Sequence, residues 1–350
     1  MDKYYTRACN FYYGKIAKEK INKKIALPLG SNPSISFDSI EIISRRNKKI
    51  FNIKNLNKIP KSLKQKIKLD IKNITKTKKI KNLNIKKLPL IMGILNVTPD
   101  SFSDGGMFNK KKKTIEHINK LIKNGSQIID IGAESTRPGS SEVSVDEEWK
   151  RLKTGLTHLS KKNIFISLDT RKSIIMKKSL PFKISLINDV SGLTHDDDTL
   201  KLLKDSKKPF VIHHMKGNPK IMQKKPIYKN VLLDIYDFFE ERIQFIRKNG
   251  IYHNNIILDP GIGFGKNLKH NITLLNQVSI FHSLGFPILL GTSRKKFIKE
   301  ISGMNDSDER IGGTVSSCIF SFMQGVQILR VHDVNEIIQS IKVFKKLHNF

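Results

Sequence analysis

The chain has 350 residues and a formal net charge of +33; 38% of the residues are hydrophobic, enough for a packed core, which excludes an intrinsically disordered chain and leaves room for one large domain or two modest ones. Two cysteines, Cys9 and Cys318, are too few and too far apart for a disulfide framework or a zinc cage and favour a reducing compartment. No run approaches the about 18 apolar residues of a membrane span, and Met1 to Lys24 lacks the apolar core of a signal peptide, so the expectation is a cytoplasmic protein with no membrane partner.

The charge raises the question of nucleic acid, because clustered lysine and arginine are drawn to phosphate backbones. Here lysine, isoleucine and asparagine are abundant on every kind of segment, as the codons of an adenine- and thymine-rich genome would produce. The expectation is therefore no nucleic-acid partner, with a positive field that suits an anionic small substrate.

In chain order, residues 1–88 come first and stand apart. They hold 24 Lys and Arg against 5 Asp and Glu, a net 24 − 5 = +19 of the +33. Ile35 to Ile43 alternates apolar and polar residues and is followed by Arg45-Arg46, which predicts a short strand and turn. Ile50 to Leu88 reads as a weakly folded connector, partly helical around Ser62 to Ile71. The division expected is a basic N-terminal extension over 1–88, partly structured, followed by a (β/α)₈ barrel over 89–350. The segment Tyr4 to Ile43 is expected to pack on that domain as a small accessory element.

From Leu88 onward, apolar strand-like runs alternate with helix-period segments. The predicted strands are Leu90–Asn96, Ile128–Gly132, Ile164–Asp169, Ile184–Asp189, Phe210–His214, Ile256–Asp259, Ile288–Gly291 and Ile328–Val331. The predicted helices include Thr114–Asn124, Asp146–Leu159, Lys229–Asn249, Leu268–Leu284, Arg310–Gln324 and Val334–Lys346. Eight such units in about 260 residues match an α/β TIM (β/α)₈ barrel, with an open doubly wound sheet as the alternative.

Unusual polar residues gather at the strand ends, which in a parallel barrel share one rim. The stretch "LDPGIGFGK" carries Gly261, Gly263 and Gly265, yet its spacing fits neither a Walker loop nor a dinucleotide fingerprint. Asp169, Asp189 and Asp259 are each open to a bland reading as caps or turn residues. Together with an asparagine they make a pocket of acceptors for a flat heterocycle rich in N–H groups. His213 and His214 are adjacent on a strand and face opposite ways, so a structural role is expected for at least one. Arg330 and His332, two apart on one strand, together with Arg137 suit a phosphate or pyrophosphate, with Mg²⁺ held by few protein ligands.

The motifs "MGILNVTPDSFSDGG", "IIDIGAESTRPGS", "LDTRKS", "INDVSG", "HHMKGNP", "LDPGIGFGK", "GTSRKKF" and "RVHDV", in this order, resemble the dihydropteroate synthases of the folate pathway. The resemblance spans Leu90 to about Val334. Small departures are Ala133 where many members have glycine, Ile262 where phenylalanine is common, and Arg171 where serine is frequent. The resemblance implies condensation of 6-hydroxymethyl-7,8-dihydropterin pyrophosphate with 4-aminobenzoate to 7,8-dihydropteroate and pyrophosphate, through a pterin carbocation. It implies pterin contacts at Asp169, Asn188, Met215, Asp259 and Lys295, and pyrophosphate contacts at Ser135, Arg137, Arg330 and His332. It places aminobenzoate against Phe102, Thr136, Pro138, Phe264 and Ser293. Catalytic roles fall to Asp104, Asn96 and Lys295, with Asn96 as the Mg²⁺ ligand. The loops Thr98 to Phe108 and Ala133 to Glu142 would act as a lid. A homodimer through the apolar stretch Thr314–Gln324 is also implied. A methyltransferase sharing the pterin pocket, and a silent barrel that binds nucleic acid, are the competing readings. A fused pyrophosphokinase would need more than 88 residues.

Overall fold

The computed structural model describes residues 2–81, 83, 89–98, 107–135, 140–217 and 226–350, with the side chains of 107–110 set aside. The first ninety residues open with a small antiparallel sheet: β1 (Tyr5–Tyr13), β2 (Leu27–Leu29), β3 (Asn32–Ile43) and β4 (Lys48–Asn52), with α1 (Gly14–Asn22) between the first two. Strand β3 is central, pairing β1 along its length and β2 and β4 in tandem on its other edge. A 3₁₀ segment (Ile53–Lys58) and α2 (Lys61–Thr75) follow, where the sequence reads as a weak connector. The helix hides in the lysine-rich composition: Leu63, Ile67, Ile71 and Ile74 recur at helical spacing on the packed face, and lysines occupy the exposed one.

Eight parallel strands then alternate with helices: β5 (Leu90–Asn96), α3 (Met107–Lys123), β6 (Ile128–Gly132), α4 (Val145–Leu159), β7 (Phe165–Asp169), α5 (Ser173–Ser179), β8 (Leu186–Asp189), α6 (Asp198–Ser206), β9 (Phe210–His213), α7 (Val231–Lys248), β10 (Ile256–Asp259), α8 (Leu268–Asn276), β11 (Leu289–Leu290), α9 (Lys296–Ser302), α10 (Ile311–Met323), β12 (Ile328–Val331) and α11 (Val334–Leu347). The sheet runs β10-β9-β8-β7-β6-β5-β12-β11 and closes through a parallel bridge between Leu258 and Ile288. The expected TIM barrel is the fold, and the open sheet is excluded by that closure. Helix starts are chemically marked. Ser144 caps α4, accepting from the Glu147 amide at 3.3 Å, with Asp146, Glu147 and Glu148 against the positive end of the helix dipole. The predicted helix Leu268–Leu284 is split into α8 and a 3₁₀ segment, Val278–Leu284.

The barrel interior is layered. Met92, Ile128, Leu186, Val211, Ile257, Leu289 and Ile328 pack against one another with partly buried Phe165, and Ile80 and Leu83, from the segment before β5, join them at the bottom. Because side chains alternate along a strand, the residues two further on also face inward. On six of the strands these are polar: Asp130, Ser167, Asn188, His213, Asp259 and Arg330.

The N-terminal sheet leans on the flank of this barrel. Tyr5 is fully buried, its ring edge-on to Tyr236 at 5.0 Å and its hydroxyl donating to Asp237 at 2.9 Å. Ser279 Oγ donates to the Ala8 carbonyl at 2.9 Å, Asn73 Nδ2 to that of Ser283 at 3.0 Å, and Arg45 spans Asp234 and Asp237, both at 2.7 Å. Tyr5, Ala8, Phe37, Ile40 and Ile74 thus belong to one apolar cluster with Tyr236, Ile280 and Phe281. Replacing Tyr5 with alanine should cost about 3 kcal/mol and lower the urea midpoint of the whole chain in one transition. A separate barrel transition at the wild-type midpoint would show that sheet and barrel unfold independently.

Candidate active site

The polar layer is wired across the barrel. Arg330 donates from Nε to Asp130 Oδ2 at 2.6 Å and from Nη2 to Asp169 Oδ2 at 2.7 Å. Asn188 Nδ2 donates to the same Asp130 oxygen at 3.1 Å. Asp130 is fully buried and was not singled out from sequence, since it sits inside the apolar run "IIDIG" rather than at a strand end. The usable signal was its position two residues beyond Ile128, the same step that separates Ile257 from Asp259. Among the described residues, Asp130 Oδ1 and Ser167 Oγ are buried with no hydrogen-bond partner. They are spare polar atoms facing the inside of the barrel. Burial, followed by the Asp130 carboxylate, pushes Asp169 up to about 8, against the pull of Arg330.

Asp259 ends β10 at 6% exposure. Its Oδ1 accepts from the Gly261 amide at 2.8 Å, and its Oδ2 lies 4.0 Å from His213 Nε2. Burial pushes this carboxyl up, and the Gly261 amide, Lys295, Arg330 and Lys266 oppose it. His213 is turned by its Nδ1, 3.0 Å from the Val190 carbonyl, and burial draws its pKa well down. It is therefore a neutral imidazole beside the carboxylate. His214 faces the other way, edge-on to Phe238 at 4.8 Å, as adjacent strand residues must.

The glycines after Asp259 are forced by geometry. Gly261 has φ of 68°, and a Cβ there would lie 2.0 Å from the His214 carbonyl; at Gly265, with φ of 59°, it would lie 2.6 Å from that of Lys216. The loop thereby packs closely against the chain following β9, which carries half-buried Met215. Phe264 presents its ring edge-on to His213 at 4.5 Å and lies 4.3 Å beneath Lys295 Nζ. Lys295 also donates to the Ile262 carbonyl, and burial lowers its pKa to about 7, with Asp259 opposing and Arg330 reinforcing.

Two further pieces complete the rim. Ser293 Oγ is 3.1 Å from His332 Nδ1 and accepts from the His332 amide at 3.2 Å, joining the ends of β11 and β12. Glu134 holds the start of the second loop. It accepts from the Val143 amide at 3.0 Å and from Arg171 Nε and Nη2 at 3.0 and 3.1 Å, beside Ser135. Arg171, a departure from the family pattern, is thus an ion-pair partner of the loop. Asn96 ends β5, half-buried, on the strand next to β6 and β12. Phe102, Asp104, Thr136, Arg137 and Pro138, with residues 99–106 of the first proposed lid loop and 136–139 of the second, lie outside the described residues. Among the described residues no group of three His, Cys, Asp or Glu side chains could hold a metal ion, and no helix is long and apolar enough to cross a membrane.

Comparison with known proteins agrees with this geometry. Residues 92–332 match the family of pterin binding enzymes. The dihydropteroate synthase of Escherichia coli strain K12 is 41% identical over 256 residues, 73% of this chain and 90% of that one; the Synechocystis enzyme is 40% identical over 258 residues, 73% and 89%. The chain belongs to the dihydropteroate synthase family. In solved structures, a Yersinia pestis dihydropteroate synthase with a sulfonamide drug complex has a TM-score of 0.72 at 37% identity, covering 78% of this chain and 99% of that one. A Clostridium difficile dihydropteroate synthase in the presence of pteroic acid has a TM-score of 0.70 at 37% identity, covering 75% of this chain and 98% of that one. As a dihydropteroate synthase family member the chain is a transferase of folate biosynthesis, joining a dihydropterin pyrophosphate to 4-aminobenzoate. The residues before Leu90 fall outside the family match.

Lys295 sits in this site at a cost to the fold. The unfolded chain keeps the ordinary lysine value of 10.5, so between about 7 and 10.5 it binds the extra proton and the penalty shrinks as pH rises; below about 7 the penalty is full. Lys295→Met should therefore stabilise the protein against urea more at pH 6 than at pH 9. An equal gain at both pH values would place the titration of this amine elsewhere.

Proposed function

We propose that the family reaction runs on this rim with Asp259 as the floor of the pterin site, its carboxylate accepting from the 2-amino group and ring N–H. The observation that carries this reading is the layer of acceptors, buried Asp130, Asn188 and Asp259 with half-buried Asp169, set two or four residues above an apolar layer inside the barrel. A flat, donor-rich ring is the partner that such a layer lacks. Asn188 and Asp169 read other edges of the ring, Met215 packs on it, and Lys295, poised over Phe264, donates to it.

The pyrophosphate lies toward Ser135, Arg137, Arg330 and His332. Arg330 spends Nε and Nη2 on carboxylates, which leaves Nη1 for the substrate. Asn96 is a neutral oxygen donor at a strand end, which fits a Mg²⁺ that takes most of its ligands from water and substrate oxygens. When bound, such an ion would neutralise charge on the departing pyrophosphate. The bond from the pterin methylene to oxygen breaks with its electron pair on pyrophosphate, leaving a carbocation that Asp104 is placed by motif to face. The aminobenzoate amine, held among Phe102, Thr136, Pro138, Phe264 and Ser293, forms the new C–N bond and loses a proton. The two loops act as a lid that excludes water meanwhile. We also infer a cytoplasmic homodimer joined through α10, whose Phe320 is exposed.

The test is turnover with dihydropterin pyrophosphate, 4-aminobenzoate and Mg²⁺, quantifying both products. Asp259→Asn removes a charge-assisted acceptor and should lower the rate by about a hundredfold or more. Equal product amounts, lost on chelating the metal, are expected. Wild-type turnover in Asp259→Asn would overturn the placement of the pterin.

A further inference from the structure

Lys266, the last residue of "LDPGIGFGK", is 3% exposed yet carries an amine. Its Nζ lies 2.9 Å from the Gly261 carbonyl, 2.9 Å from that of Phe264, 3.3 Å from that of His214 and 3.0 Å from His214 Nδ1. Burial draws its pKa well down, with Asp259 opposing. Three carbonyls face it, and an ammonium offers each of them an N–H where a neutral amine has only two, so these acceptors favour the charged form against burial. The His214 ring nitrogen lies within hydrogen-bond distance as well.

The positions of those acceptors matter more than their number. Gly261 donates its amide to Asp259 Oδ1, and Phe264 walls the same site beneath Lys295. His214 begins the segment that carries Met215. One amine thus fixes the loop after β10, the chain after β9 and the spacing between them. We propose that Lys266 is the positioning residue of the pterin floor, strapping these two loops together and supplying a buried positive charge that keeps Asp259 an ionised acceptor. This rests on the reading of Asp259 as the residue that binds the pterin.

The groups facing Asp259 are Lys266 and the Gly261 amide from its own loop, His213 from β9, Lys295 from the end of β11 and Arg330 from β12. His213 is neutral, so the positive charge on Asp259 comes from Lys295, Arg330 and Lys266, and of these Lys266 spends its amine on the backbone of the two loops.

Two substitutions separate strap from charge. Lys266→Gln keeps N–H donors for the carbonyls without the charge, and Lys266→Met keeps neither. Binding of 6-hydroxymethylpterin is followed by its fluorescence from pH 5 to 9, with circular dichroism to verify folding. In the wild type, affinity falls toward acid as Asp259 takes up a proton. In Lys266→Gln the midpoint of that fall should move about one pH unit upward, a change of about tenfold in affinity on the acid side, while Lys266→Met also weakens binding on the alkaline plateau. Plateau affinity in Lys266→Met equal to wild type overturns the strap, and an unmoved midpoint in Lys266→Gln overturns the charge. A wild-type protein that binds no pterin at any pH overturns the pterin reading and this inference with it.

Discussion

Arg330 enters the barrel from β12 and meets Asp130 and Asp169, from β6 and β7, at 2.6 and 2.7 Å. A guanidinium in such a place is costly to desolvate, and two carboxylates so close would repel one another without it. The planar fork satisfies both, giving one N–H from Nε to Asp130 and one from Nη2 to Asp169. The consequences spread through the site. Asp130, fixed by Arg330, takes the Asn188 amide on the same oxygen, which sets which end of that amide faces the cavity. Asp169 is left one oxygen away from the cation, and Arg330 adds its field to that of Lys295 on Asp259.

The two inner layers divide labour along each strand. The lower one, from Met92 to Ile328, is an ordinary core that holds the strands in register. The upper one puts carboxylates, an amide, an imidazole and a guanidinium where a more stable protein would place valine and isoleucine. Asp130 Oδ1, buried without a hydrogen-bond partner among the described residues, and the depressed Lys295 amine at the rim are costs to the fold that a bound ligand would offset.

Much of this was legible in the sequence because period-two alternation and strand-end polarity are local features. Asp259, Asn188, Asp169 and Arg330 announce themselves at the ends of apolar runs, and the glycines of "GIGFG" announce a tight loop. Asp130 and Ser167 do not, since a lone polar residue within a strand can be read as inward or outward until register is known. Lys266 is harder still: nothing local distinguishes it from the chain's many solvated lysines, and only the fold of two loops around it makes it buried. The N-terminal segment was obscured by composition. Lysine and asparagine mask the apolar stripe of α2, and Ile40 and Phe37 lie in a strand whose partner surface is remote in sequence.

That remoteness bears on how the protein is made. The sheet of β1 to β4 leaves the ribosome before the barrel, yet Tyr5 binds Asp237, 232 residues later, and Ala8 binds Ser279, 271 residues later. Loops of that length close slowly, and in the interval the sheet face that will meet Tyr236 and Phe281 has no partner. A domain built this way must keep its opening segment soluble without its core. The first 88 residues carry 24 Lys and Arg against 5 Asp and Glu, and this excess makes such segments repel one another during the interval.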